Sequence, residues 1–160
     1  DTLMDATRTI ERTATERGVR LELPSDHVVA ARLEADAAHD TLAVDDPTIG
    51  DRLGVDIGPE TVQRFADIIG AAKTIVWNGP MGVFEIEAFA PGTMAIAKAV
   101  ANSGAQTIVG GGDSVAAVGR AGVADQITHI STGGGASLEL LGGRRLPGLD
   151  VLPDAGEGTN

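Results

Sequence analysis

A short apolar segment, a glycine-rich loop and a helix pattern follow one another three times in the second half of the chain. The apolar segments are 73–77, 106–109 and 126–130, and their loops contain "NGPMG", "GGG" and "TGGG". Strands that alternate with helices form parallel sheets joined by right-handed crossovers. The pattern therefore predicts an α/β fold, a three-layer, Rossmann-like, largely parallel sheet with helices on both faces.

The other segments predict further elements. Apolar residues at helical spacing predict a helix over 1–17, and alternating apolar residues predict a strand over 19–23. Further strands are expected over 27–33 and 41–44, and the last residues, 151–160, are expected to form a tail. The remaining helices are expected from Pro59 to about Gly70 and over 91–102, 113–120 and 136–141.

The three glycine-rich loops should lie together. In a parallel sheet they share the edge formed by the carboxyl ends of the strands, where α/β proteins bind their ligands. Each loop also leads into a helix amino terminus, whose free N–H groups and dipole attract anions. Glycine lets a ligand approach the backbone closely. The sequence predicts a phosphate-binding edge, with ordinary tight turns as the alternative.

The loops match neither of the two common nucleotide motifs. The P-loop pattern requires a lysine directly after a glycine, and neither Lys73 nor Lys98 follows one. The dinucleotide pattern GxGxxG fails as well, because from Gly110 its third glycine would fall at Val115. An NAD-dependent oxidoreductase is therefore disfavoured.

Asp113 directly follows the triple glycine 110–112. A carboxylate repels phosphate unless a cation bridges the two, and Mg²⁺ is typically held by one or two carboxylates together with phosphate oxygens. Aspartate is also a common helix cap. Spacing alone does not decide between a magnesium ligand and a cap.

Composition removes several classes of partner and site. The formal net charge is −11 with only 12 Lys and Arg residues, so duplex nucleic acid and anionic membranes are not expected partners. The absence of cysteine excludes disulfides and thiolate sites. The longest uncharged run, 99–112, is too short and polar to cross a bilayer, and no signal-peptide pattern opens the sequence. A cytoplasmic location is expected.

Four motifs give the sequence a family resemblance. They are, in order, "DIGPET", "KTIVWNGPMGVFE", "GGGDSVAAV" and "HISTGGGASLELLGGRRLPGLDVL". They resemble the carboxyl-terminal lobe of phosphoglycerate kinase, and the resemblance extends from "LELPSDHVVA" to "LPGLDVL". It implies a two-lobed, monomeric glycolytic enzyme that moves a phosphoryl group between 1,3-bisphosphoglycerate and Mg-ADP, giving 3-phosphoglycerate and Mg-ATP.

The resemblance also implies roles for the residues that match these motifs. Phosphoryl transfer depends on placement and charge neutralisation more than on covalent chemistry. Asp113 is expected to take the magnesium of the nucleotide, and Glu85 to hold the ribose hydroxyls. The other expected positions are the pocket wall at Asn78, Pro80 and Val83, the phosphate loop at Gly111, Gly112 and Ser114, and catalytic backbone positions at Gly112, Gly134 and Gly135.

By the same resemblance, residues 1–150 form part of the carboxyl-terminal nucleotide-binding domain. The amino-terminal phosphoglycerate lobe and a glycine–lysine segment that grips phosphates are absent from the sequence. The expected partners are ADP or ATP with Mg²⁺, phosphoglycerate and that missing lobe. Alone, the chain is expected to show no turnover and at most weak Mg-nucleotide binding. The alternative is a non-catalytic nucleotide-binding module of the same fold, which would have no need to keep both Asp113 and Glu85.

Overall fold

The computed structural model describes residues 2–151, so the predicted tail at 151–160 lies outside the described residues except for Val151. The strands are β1 Asp26–Ala30, β2 His39–Ala43, β3 Leu53–Ile57, β4 Thr74–Asn78, β5 Gln106–Gly110 and β6 His129–Ser131. The helices are α1 Thr2–Glu16, α2 Pro59–Ala71, α3 Pro91–Asn102, α4 Gly112–Arg120, α5 Gly134–Leu141 and α6 Pro147–Asp150. Within residues 2–151, no helix is long and apolar enough to span a membrane.

The second half of the chain forms a parallel sheet in the order β4-β5-β6. Trp77 pairs with Val109, Asn78 with Gly110, and Gly110 with Ser131, so the three strands end side by side. Its core joins buried strand residues such as Val109 to buried helix residues such as Ile96 and Val118. The predicted α/β class with a parallel sheet flanked by helices is confirmed.

A second, antiparallel sheet in the order β2-β1-β3 precedes the parallel one in sequence. Its strand β3 was not predicted, although Leu53, Val55 and Ile57 alternate in the expected way. Val55 and Ile57 are buried, so β3 contributes side chains to the hydrophobic core. The short helix α6 was not predicted either, because its four residues carry little periodicity.

The predicted strand over 19–23 is wrong. These residues form no strand, and Leu21 and Leu23 are 49% and 70% exposed. Alternating apolar residues favour a half-buried strand surface, but a strand forms only where a neighbouring backbone completes its hydrogen bonds. None of the described strands pairs with this segment.

Two predicted strands are shorter than expected. The one expected over 27–33 ends at Ala30, and the one expected over 126–130 begins only at His129. A 3₁₀ turn at Ala124–Gln126 takes the start of the second. Periodicity locates such strands but does not fix their ends.

Candidate functional site

The loops that follow β4, β5 and β6 meet at the carboxyl edge of the parallel sheet. A Cβ atom on Gly134 would lie 2.5 Å from the backbone N of Gly111 and 2.9 Å from Nδ2 of Asn78. The N–H of Gly111 donates to the carbonyl of Ser131 at 3.1 Å. Gly111 has a φ of +93°, a left-handed conformation that favours glycine. The three loops predicted to share an edge are therefore in direct contact.

The amino terminus of α4 faces this edge. The first helical residues, Gly112, Asp113 and Ser114, have N–H groups without a carbonyl partner inside the helix. Gly112 and Asp113 are exposed, and a Cβ on Gly112 would have open space around it. Free N–H groups at a helix start attract anions, aided by the helix dipole.

Asp113 does not act as a capping side chain. The N-cap of α4 is Gly111, and no side chain supplies a capping hydrogen bond there. Within residues 2–151, no group of three or more His, Cys, Asp or Glu side chains could hold a metal ion. A carboxylate oxygen is a suitable Mg²⁺ ligand, but a metal at Asp113 would need most of its ligands from a bound molecule or water.

Residues 79–85, which we call the wall loop, carry three of the predicted nucleotide contacts. Pro80 and Val83 are half-buried and Glu85 is exposed. The loop begins at Gly79, whose φ is +103°. Its carbonyl accepts a hydrogen bond from Nε1 of Trp77 at 2.7 Å, so the buried indole of β4 fixes the start of the loop.

Buried groups hold the backbone of the wall loop from behind. The N–H of Gly79 donates to Oγ of Ser114 at 2.6 Å, and that of Val83 donates to the carbonyl of Val55 at 2.9 Å. The N–H groups of Met81 and Gly82 both donate to Oγ1 of Thr93, each at 3.1 Å. Because Pro80 has no N–H, every donor from residue 79 to residue 83 is paired.

The structure separates the tasks of the predicted site residues. Ser114 is 1% exposed and its Oγ accepts the N–H of Gly79, so its hydroxyl holds the wall loop. Gly134 is buried against Gly111, whereas Gly135 is exposed with open space around an added Cβ. The ligand contacts of all these residues stay predictions.

Sequence reasoning missed two buried residues near the wall loop, Asp56 and Thr93. Oδ2 of Asp56 accepts a hydrogen bond from the N–H of Gly92 at 2.6 Å, and its Oδ1 accepts one from Ile57 at 2.9 Å. Burial raises the pKa of Asp56 above its ordinary value. The two backbone hydrogen bonds lower the pKa, but their effect is smaller. The available signal was an aspartate at the end of an alternating apolar segment, directly before "IGPET".

Comparisons with known proteins place this architecture in one family. The family model described as "Phosphoglycerate kinase" matches residues 1–144. Phosphoglycerate kinase of Herpetosiphon aurantiacus is 54% identical over 154 residues, which cover 96% of this chain and 39% of that protein. The Roseiflexus sp. enzyme is 59% identical over 142 residues, covering 89% of this chain and 36% of that protein.

Solved structures agree with the sequence comparison. Phosphoglycerate kinase from Coxiella burnetii superposes with a TM-score of 0.87 at 45% identity, covering 94% of this chain and 38% of that one. The enzyme from Pyrococcus horikoshii gives a TM-score of 0.78 at 36% identity, covering 93% of this chain and 36% of that one. This chain spans less than two fifths of the length of these relatives. Together with the fold and the meeting of the three loops, these matches show that the chain belongs to the phosphoglycerate kinase family.

Proposed function

We propose that the chain is the carboxyl-terminal, nucleotide-binding lobe of a phosphoglycerate kinase and carries the Mg-nucleotide half of its site. The whole enzyme would transfer a phosphoryl group reversibly between 1,3-bisphosphoglycerate and Mg-ADP. The observation that carries this proposal is the contact among Asn78, Gly111 and Gly134, which joins three strand ends at one anion-attracting edge.

Each part of this edge suits one part of a magnesium nucleotide. The free N–H groups of Gly112 and Asp113 suit phosphate oxygens. The Asp113 carboxylate suits the Mg²⁺ that arrives with the nucleotide as part of the substrate. In the wall loop, Pro80 and Val83 offer apolar contact, and the exposed carboxylate of Glu85 can accept hydrogen bonds from ribose hydroxyls.

The residues predicted to contact the nucleotide carry no positive charge, although Arg120 donates a hydrogen bond to the Phe84 carbonyl of the wall loop. None of the predicted site residues is a lysine or an arginine. Phosphoryl transfer depends on stabilising the negative charge of the moving group, so turnover would need cations from elsewhere in the enzyme. We therefore propose that the phosphoglycerate site and these cations lie in a part of the enzyme that this chain does not contain, and that the chain alone binds Mg-ADP weakly without turning it over.

An isothermal titration tests the proposal by separating the metal from the nucleotide. The 160-residue chain and its Asp113→Ala variant would each be titrated with Mg-ADP and with ADP plus a chelator. In the wild type, Mg²⁺ should strengthen binding by about tenfold, the size of a single charge-assisted contact. In Asp113→Ala this difference should disappear, because the ligand that senses the metal is gone.

A control variant shows whether the effect of magnesium is specific to Asp113. Asp125→Ala removes instead an exposed carboxylate in the 3₁₀ turn Ala124–Gln126, and it should keep the Mg²⁺ dependence. Equal magnesium dependence in the wild type and in Asp113→Ala would contradict the metal role. No binding of Mg-ADP by the wild type would contradict the proposal as a whole.

A further inference from the structure

We infer that Thr93 and Asp56, which lie outside the predicted site, are positioning residues that set the conformation of the wall loop for nucleotide binding. This inference rests on the proposed function. Neither side chain is available to a ligand, since Thr93 is 0% exposed and Asp56 is 2% exposed. Both therefore act through the backbone that they hold.

Thr93 holds the middle of the wall loop. Its Oγ1 lies 3.1 Å from the N–H donors of both Met81 and Gly82, and it sits in the first turn of α3. A buried N–H group without a partner is costly, so these two donors keep the loop against α3. Without the hydroxyl, the backbone between Pro80 and Val83 loses both of its hydrogen bonds to α3.

Asp56 fixes the place of α3 itself. Its carboxylate accepts the N–H of Gly92, the residue before Thr93, at 2.6 Å. A Cβ atom on Gly82 would lie 2.5 Å from Oδ1 of Asp56, so the wall loop also packs directly on this carboxylate. Val55, the neighbour of Asp56 in β3, accepts the N–H of Val83. Strand β3 and helix α3 therefore both hold the wall loop through hydrogen bonds to its backbone.

The position of the wall loop relative to α4 depends on a pair of buried hydroxyl groups. The hydroxyl of Ser114, in the first turn of α4, accepts a hydrogen bond from the N–H of Gly79 at the start of the loop. The hydroxyl of Thr93 accepts hydrogen bonds from the next two N–H groups, those of Met81 and Gly82. Removing the Thr93 hydroxyl therefore releases the loop on the α3 side and leaves the α4 amino terminus intact, which separates positioning from direct phosphate contact.

The chain contains a matched control for Thr93. Thr61 is equally buried, occupies the same place in the first turn of α2, and its Oγ1 also accepts two backbone N–H groups, from Ser25 at 2.9 Å and Asp26 at 3.2 Å. Those donors belong to β1 and the residue before it, away from the wall loop. Thr61→Val also removes the hydrogen bond that this hydroxyl donates to Asp26, so it should cost at least as much stability as Thr93→Val without moving the wall loop.

The experiment compares Thr93→Val, Thr93→Ser and Thr61→Val in the 160-residue chain. Affinity for Mg-ADP is measured by titration, and loop protection by amide hydrogen exchange at Met81 and Gly82. Thr93→Val should weaken Mg-ADP about tenfold and speed exchange at both amides by a similar factor, as expected for losing two hydrogen bonds. Thr93→Ser, which keeps the hydroxyl, should restore both values. Thr61→Val should leave both close to wild type.

Each other outcome counts against the inference. Equal losses of affinity in Thr93→Val and Thr61→Val would mean that Thr93 contributes only stability. Unchanged exchange at Met81 and Gly82 in Thr93→Val would overturn the loop contact whether or not nucleotide binds. If the wild type does not bind Mg-ADP, the proposed function fails and the nucleotide part of the inference fails with it, while exchange still decides whether Thr93 holds the loop.

Discussion

At the scale of single residues, the last glycine-rich loop shows two different reasons for glycine. Gly134 is buried, and an added Cβ would overlap the backbone of Gly111. Gly135, the next residue, has open space at the same position. The family resemblance predicted both as catalytic backbone positions. It could not reveal that one of them joins two loops, because that depends on a contact across the sheet edge.

Replacing Gly134 with alanine should therefore destabilise the fold. The methyl group would meet the Gly111 backbone, which can move only with β5, and overpacking of this kind costs about 1–3 kcal/mol of unfolding free energy. Gly135→Ala should be neutral or stabilising by up to about 1 kcal/mol, since alanine favours helix over glycine. Urea denaturation of both variants measures the difference. Equal stabilities of Gly134→Ala and Gly135→Ala would show that the loops do not touch as described.

At the scale of elements, α2 and α3 begin in the same way. Each opens with a proline, Pro59 or Pro91. An aspartate of the antiparallel sheet accepts hydrogen bonds from each first turn, Asp26 from two N–H groups of α2 and Asp56 from one N–H group of α3. The prolines made both starts predictable from sequence, and α3 was predicted with its observed bounds. The aspartates Asp26 and Asp56 could not be predicted as caps, because they lie more than thirty residues upstream.

Asp26 should make the free energy of unfolding depend on pH in the acid range. Burial raises the pKa of Asp26, but hydrogen bonds from the hydroxyl and N–H of Thr61 and from the N–H of Glu60 outweigh that effect, so the pKa lies below its ordinary value of 3.8. The ionised carboxylate therefore stabilises the fold fully above 3.8, and this contribution is lost as the pH falls through the lower folded pKa.

The Asp26→Asn variant tests this contribution. At neutral pH it should lose about 1–3 kcal/mol of unfolding free energy, because an amide cannot accept all three donors. The gap from wild type should narrow as the pH falls below 3.8, and it should close as the pH passes the lower folded pKa, where the native Asp26 itself becomes protonated. Denaturant unfolding across this range measures the gap, with the exposed Asp67→Asn as a control on α2. A gap that stays constant with pH would contradict the capping role of the charge.

The strands show where sequence reasoning on elements stops. The three strands of the parallel sheet were predicted because glycine-rich loops mark their ends. The strand expected at 19–23 is wrong because periodicity indicates which face of a segment is apolar, but not whether another strand pairs with it. The unpredicted β3 has the same kind of alternation, but it pairs with β1. Which of two similar segments becomes a strand is decided by long-range pairing.

At the scale of the whole molecule, both sheets contribute to the candidate site. The parallel sheet supplies the three loops, and the antiparallel sheet supplies Asp56 and the Val55 carbonyl that hold the wall loop. The sequence motifs predicted the first contribution and not the second. Since the chain covers only 36–39% of its relatives' length, the complete reaction is proposed for a larger enzyme and the nucleotide half for this chain.

The central claim is that the loops after β4, β5 and β6 form one nucleotide site, and an amide-resolved NMR titration with Mg-ADP tests it most directly. An apolar groove of about 250 Å³ along β4 contains none of the predicted site residues but shares Met81 with the wall loop, so its residues Phe65, Ile68 and Ile75 serve as the internal comparison. The account predicts the largest shifts in three regions, 79–85, 111–114 and 133–135. Shifts confined to the β4 groove, or to only one of the three loops, would contradict it.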